Sequence, residues 1–166
     1  MSGEGAYIVL KREDSRQLNG LVEDEAVRRF ATDLRRSKKY RDEGWILECG
    51  TAWNAIHRCL TEGTLDPNAG EFPLNCCVLG GRRLYRGTGF EAVLIRPDIV
   101  PHVAMAVRDV KRSDLHERYF KLDPNDYGQQ PSEKEFDLIW NTFRQIQQLM
   151  DEAGELRAAV LFTVER

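Results

Sequence analysis

Neither sign of charge dominates this chain. Its 24 lysines and arginines stand against 27 aspartates and glutamates, for a net charge of −3 over 166 residues. That balance argues against general affinity for nucleic acid and against adhesion to an anionic membrane surface. Long apolar runs are also missing, and nothing approaches the ~20 residues needed to span a bilayer. The opening Met1-Ser2-Gly3-Glu4-Gly5 carries no basic n-region, and Ala6 to Leu10 is too short for the apolar core of an export signal. Cysteine is scarce, with Cys49, Cys59, Cys76 and Cys77 only. No Cys-x-x-Cys pair occurs, and adjacent Cys76 and Cys77 are poorly placed to chelate one ion, so neither a zinc site nor a disulfide framework is expected. Reduced thiols without a leader suit the cytoplasm. There is no internal repeat, no G-x-G-x-x-G and no P-loop. The sequence therefore assigns no cofactor, no metal and no catalytic residue.

The elements follow from periodicity and punctuation. Ala6 to Leu10 reads as a buried strand, Ser15 to Val22 as one or two helical turns, and Glu23 to Lys39 as a helix. The last has acids at its start and bases at its end, with Val27, Phe30, Ala31 and Leu34 on one side. Trp45 to Glu48 is strand or turn. Thr51 is placed to cap a helix over Trp53 to Glu62 that Gly63 stops. Pro73 to Leu79 suits a short helix before Gly80-Gly81. Glu91 to Ile95 is a second strand, Pro97 opens a valine-rich helix, and Ser113 caps another that runs to about Leu122. Asp123 to Gly128 reads as loop. The turn chemistry of Pro124, Asn125 and Asp126 explains it better than a calcium site, because the closing Glu of such a site is missing. Ser132-Glu133-Lys134-Glu135 forms a capping box that starts a long helix, with Phe136, Ile139, Trp140, Phe143, Ile146 and Met150 on one stripe and Gly154 at its end. Ala158 to Val164 is the last strand. The expected fold is α/β (α+β-like): one layered domain, with about five or six helices packed on a small mixed sheet in which the N- and C-terminal strands lie together.

Two neighbouring blocks carry a family resemblance: Trp53-Asn54-Ala55-Ile56-His57-Arg58-Cys59-Leu60-Thr61, and Pro73-Leu74-Asn75-Cys76-Cys77-Val78-Leu79-Gly80-Gly81. With Gly5-Ala6-Tyr7, the long C-terminal helix and the final strand, they resemble the YfbM-like family of small bacterial proteins, a domain of unknown function. The resemblance covers nearly the whole chain. It implies one compact α/β domain over residues 1–166 and a bacterial cytoplasmic source, and it brings no catalytic residue. The family pattern carries an Asp about three residues before the Trp, where this chain has Gly50.

Four features compete as functional sites. His57 shares a helix face with Trp53 and Leu60. It is either a core histidine bonded to a backbone carbonyl or part of a pocket beside the Gly80-Gly81 turn. Arg82, Arg83, Tyr85 and Arg86 would supply the polar contacts of such a pocket. Cys59 or Cys76 activated by His57 would need a geometry that residue types do not fix. On the helix from Glu23, Arg28, Arg29, Arg35, Arg36 and Lys39 form a basic stripe opposite the apolar one. Glu25 is placed to pair with Arg29, and the absence of interleaved aromatics argues against single-stranded nucleic acid. Tyr85-Arg86-Gly87 followed by Glu133-Lys134-Glu135 resembles an ADP-ribosyltransferase pattern that lacks its central strand motif.

The leading expectation is a non-enzymatic protein-interaction module, immunity-like or regulatory, that engages a protein partner with an acidic surface. Exposed anchors would come from Trp45, Arg82, Arg83, Tyr85, Arg86, Phe90 and Tyr127. A small-molecule-binding protein or enzyme with a pocket near His57, Arg82 and Arg86 is the second reading, and a transferase the third. Nothing in the sequence sets the oligomeric state.

Overall fold

The computed structural model describes residues 3–166. Its sheet has the order β2-β1-β5-β4-β3, built from β1 (Gly5–Val9), β2 (Ile46–Gly50), β3 (Arg82–Arg83), β4 (Phe90–Ile95) and β5 (Val160–Glu165). The terminal strands pair directly, Gly5 opposite Val164 and Val9 opposite Val160. The sheet is antiparallel throughout rather than mixed. A parallel neighbour needs a crossover within the sheet, and here the helices between strands instead return the chain to antiparallel positions.

Among the described residues eight helices flank the sheet, a few more than the five or six expected: α1 (Arg12–Asn19), α2 (Asp24–Arg36), α3 (Lys38–Asp42), α4 (Ala52–Leu60), α5 (Val100–Arg108), α6 (Arg112–Phe120), α7 (Pro124–Tyr127) and α8 (Glu133–Glu155). A single 3₁₀ turn covers Leu74–Cys76. Two local events add helices, and a third moves a boundary. The helix predicted over Glu23 to Lys39 breaks at Ser37, whose extended backbone (φ −64°, ψ 120°) ends α2 and whose Oγ accepts from the Tyr40 amide to start α3. Asp123, read as loop, caps α7 through the Asn125 amide. The helix after β4 begins at Val100 instead of Pro97, with Pro101 in its first turn.

Strand alternation divides the core. Tyr7, Val9, Val93, Ile95, Val160 and Phe162 point to α4, α5, α6 and α8. Ile8, Leu10, Ala92, Leu94 and Leu161 point to the α1–α3 layer. β5 lies between β1 and β4, and Val160 to Val164 are fully buried or nearly so. Gly5 permits one close approach, since a side chain there would meet the rings of Phe162 and Trp53 at 2.8–2.9 Å. α4 is the central helix of its layer. Trp53 to Leu60 are all buried, so the helix has no solvent face, and its polar residues must find partners inside.

Candidate functional site

His57 sits within α4 with 1% of its surface exposed, and its Nε2 lies 3.1 Å from the Asp66 carbonyl. The carbonyl only accepts, so Nε2 carries the proton of a neutral ring. Burial, with the neighbouring Arg58 charge, lowers the pKa of His57 against the opposing pull of the Asp66 contacts. Of the two roles open to this residue, the geometry matches the core histidine held by a backbone carbonyl. The thiols are similarly enclosed. Burial pushes Cys49, Cys59 and Cys77 up to about 12 and raises Cys76. Thiols held protonated in this way are poor nucleophiles. Among the described residues no three metal-ligating side chains gather into a group.

The arginine-rich segment after Gly81 is divided by the sheet. In β3, Arg82 lies opposite Leu94 and Arg83 opposite Val93, so the two side chains take opposite faces. Arg82 donates to Asn19 Oδ1 (3.2 Å) on α1. Tyr85 is buried against Phe90, with ring centroids 5.2 Å apart, so neither serves as an exposed anchor. The Arg86 amide donates to Asp24 Oδ1 (3.0 Å) at the start of α2. Arg82, Tyr85 and Arg86 therefore lie on the α1–α3 side, whereas His57 is buried in α4 on the other.

Arg83 does reach a cleft at the Gly80-Gly81 turn. This hollow of about 660 Å³ is lined by Leu79, Pro67, Arg83, Glu91 and Arg166, among others. Sequence reasoning overlooked Glu91, whose alternation in β4 suggested only a strand position. Its carboxylate, 15% exposed, meets Arg166 Nη1 at 3.3 Å and Arg83 Nε at 3.7 Å. Arg83 also donates to the carbonyls of Tyr85 (2.9 Å) and Gly87 (3.2 Å). The charges of this cleft are largely consumed by one another and by the loop they brace.

The transferase-like Glu pair is placed elsewhere again. Ser132 Oγ accepts from the Glu135 amide (3.3 Å), which is half of the predicted capping box. The other half is replaced: the Ser132 amide donates to Tyr119 Oη (3.2 Å), and the Glu135 carboxylate accepts from Tyr119 (2.9 Å), Tyr127 (2.7 Å) and Gln129. Burial, with the Glu135 hydrogen bond, raises Tyr127 strongly, and burial lifts Tyr119 to about 12. Tyr127 is thus committed to this clamp. It also lies over Arg58, which is 5% exposed and donates to Asn54 Oδ1 (2.7 Å), to the Gly63 carbonyl (3.1 Å) and to Asp126.

The basic stripe on α2 is only partly free. Arg28 pairs with Glu165 and covers the Phe90 ring. Arg35 grips Glu48 (2.5 Å and 3.2 Å) and the Glu4 carbonyl. These two arginines tie the helix to the ends of strands. Arg29 and Arg36 are exposed and make no ion pair among the described residues, and the expected Glu25–Arg29 pair does not form. Lys39 lies next to Lys11, whose ammonium meets Glu43 at 3.0 Å. The stripe therefore leads from α2 over α3 to the start of α1.

Comparison with known proteins places this arrangement in context. Residues 1–163 match the family described as "Domain of unknown function (DUF1877)". The crystal structure of YfbM from Escherichia coli, a protein of unknown function, is similar, with a TM-score of 0.66 over 97% of this chain and 99% of that one at 18% sequence identity. At that identity the likeness is one of fold. No curated protein matches the chain.

Proposed function

This chain belongs to the DUF1877 family, and from that premise we propose that it is a non-enzymatic interaction module that docks an acidic protein partner on its α1–α3 layer. The observation that carries the reading is an asymmetry in how arginines are used. On the α4–α8 side, Arg58, Arg108 and Arg112 are each paired with an aspartate, and Arg118, which donates to the Cys59 carbonyl, and Arg144 are exceptions. On the α1–α3 side, the guanidiniums of Arg12, Arg16, Arg29, Arg36 and Arg86 have no carboxylate partner among the described residues. Unspent guanidiniums on one face favour an acidic partner through steering and through bidentate carboxylate contacts. The chemical groups that would support catalysis are already occupied: His57 by a backbone carbonyl, Glu135 by two tyrosines, and Glu91 by two arginines.

The test is affinity purification of the tagged chain from its native lysate at near-physiological salt. An acidic partner should be recovered in stoichiometric amount and released as salt rises. Recovery of no partner, or of one that salt does not release, overturns the reading.

A further inference from the structure

The basic layer ends in a groove. It runs between α1, Trp45 and the turn that joins α8 to β5, and it encloses about 1050 Å³ open to solvent. Leu10 and Ala159, both 1% exposed, form its floor, and Trp45 forms a half-buried wall. Leu156 stands at the side with 57% of its surface exposed. Arg12, Arg16 and Arg157 line the rim, and none of the three has a partner among the described residues. The one carboxylate in the lining, Glu43, is already engaged by Lys11. On α1, the Asp14 carboxylate accepts from Tyr40.

Resting on the interaction reading above, we propose that this groove docks an extended acidic segment of the partner. Its carboxylates lie against Arg12, Arg16 and Arg157, and an apolar side chain lies over Trp45 and Leu156.

α8 runs through Gly154 to Glu155, Leu156 caps it, and Arg157 then takes the left-handed backbone conformation with φ 54°. Its amide donates to the Gly154 carbonyl (3.2 Å), and the Ala158 amide donates to the Ala153 carbonyl (3.0 Å). This is the position after a helix end that glycine ordinarily fills, because a Cβ is unfavourable there. The chain bears that cost with an arginine whose guanidinium makes no hydrogen bond, ion pair or ring contact among the described residues. A local rule broken without a compensating gain in the fold marks a position kept for something outside it.

Size and polarity choose the occupant. Small-molecule sites are concave, of about 300–1,000 Å³, and enclose most of their ligand. This groove, at about 1050 Å³, lies just above that range and is open to solvent. An adjoining hollow of about 320 Å³ shares Glu43, Trp45 and Leu156 and is lined also by Glu152 and Glu155. The track therefore runs from basic, through apolar, to acidic. A segment with acids, a large apolar residue and then a base matches it, with opposite charges at each end and the apolar anchor central.

The test is selection of a random phage-displayed peptide library on the whole protein, run in parallel on Arg157→Gly and on Leu156→Ser. The wild type should enrich peptides with clustered Asp or Glu next to Leu, Phe or Trp. Their affinity should fall at least fivefold for both variants, while the melting temperature of Arg157→Gly rises. No enrichment, enrichment of basic peptides, or equal affinity for Arg157→Gly overturns the proposal. So does displacement of the peptides by dodecyl phosphate at lower concentration than by free peptide, which would assign the groove to a small amphipathic anion. The two readings fail separately. A native partner captured equally by wild type, Arg157→Gly and Leu156→Ser leaves the interaction module standing without this groove, and a wild type that captures no native partner removes the module itself.

Discussion

Single side chains here carry opposite obligations. His57 serves the fold, and its cost depends on pH. Burial holds its folded pKa below the unfolded value of about 6.5, so the unfolded chain takes up more protons as pH falls through that range. Its packing contribution is therefore fully present above about pH 6.5 and is lost progressively below it. Urea titrations should find the wild type less stable at about pH 5.5 than at about pH 7.5, with a flatter response in His57→Gln, which keeps a donor for the Asp66 carbonyl. Equal slopes in the two proteins would show that another group governs the change. Arg157 does the reverse and charges the fold for a side chain it does not use. Arg157→Gly should raise the unfolding free energy by about 1 kcal/mol, since glycine carries no left-handed penalty. The helical face of His57 was legible in the spacing Trp53, His57, Leu60. The helix packed on all sides was not, because periodicity reports one apolar stripe and tertiary packing supplied the rest. Arg157 gave no signal either: Gly154 stands three residues earlier and looks like the stop, yet the helix passes through it.

At the scale of elements, polar clamps decide how the helices are joined. Arg58 on α4 reaches Asp126 on α7, and Tyr127 and Glu135 then join α7 to α8. Arg58 is almost wholly buried while Asp126 is 57% exposed on its side chain, so the loss on cutting the pair falls mainly on the arginine. Asp126→Ala should cost about 2 kcal/mol, in the range of hydrogen bonds to charged groups, because Asn54 and the Gly63 carbonyl still serve the guanidinium. Chemical denaturation measures it, and a change under about 0.5 kcal/mol would be that of an ordinary surface position. The segment around Asp126 reads as loop from its composition, since Asp, Pro and Asn favour turns and caps equally, and four residues are too few for a period. The break at Ser37 was hidden in a run that keeps its charge pattern on both sides. The start and apolar stripe of the long helix, by contrast, were legible because six apolar positions repeat along its 23 residues.

For the molecule as a whole, pairing of the terminal strands was readable from two apolar runs at opposite ends. The antiparallel sense of every pair was not, because it depends on where the intervening helices return the chain. β5 is the central strand, with Phe162 fully buried and packed 5.1 Å from Tyr7 and 5.7 Å from Trp53, centroid to centroid. Phe162→Lys should therefore abolish cooperative unfolding, whereas a folded variant would place the core elsewhere. Candidate residues gathered from the sequence prove to lie on both sides of that sheet: Arg82, Tyr85 and Arg86 with α1 and α2, His57 with α4. What unites the first side is free positive charge on a chain of net charge −3. Those guanidiniums without carboxylate partners are the basis of the interaction reading. Its most direct test is quantitative mass spectrometry of proteins captured from native lysate by the wild type and by Arg29→Glu/Arg36→Glu, at matched folded concentration. The account predicts an acidic partner recovered by the wild type and reduced at least tenfold by the charge reversal. Equal recovery by both proteins, or recovery of none by the wild type, would contradict it.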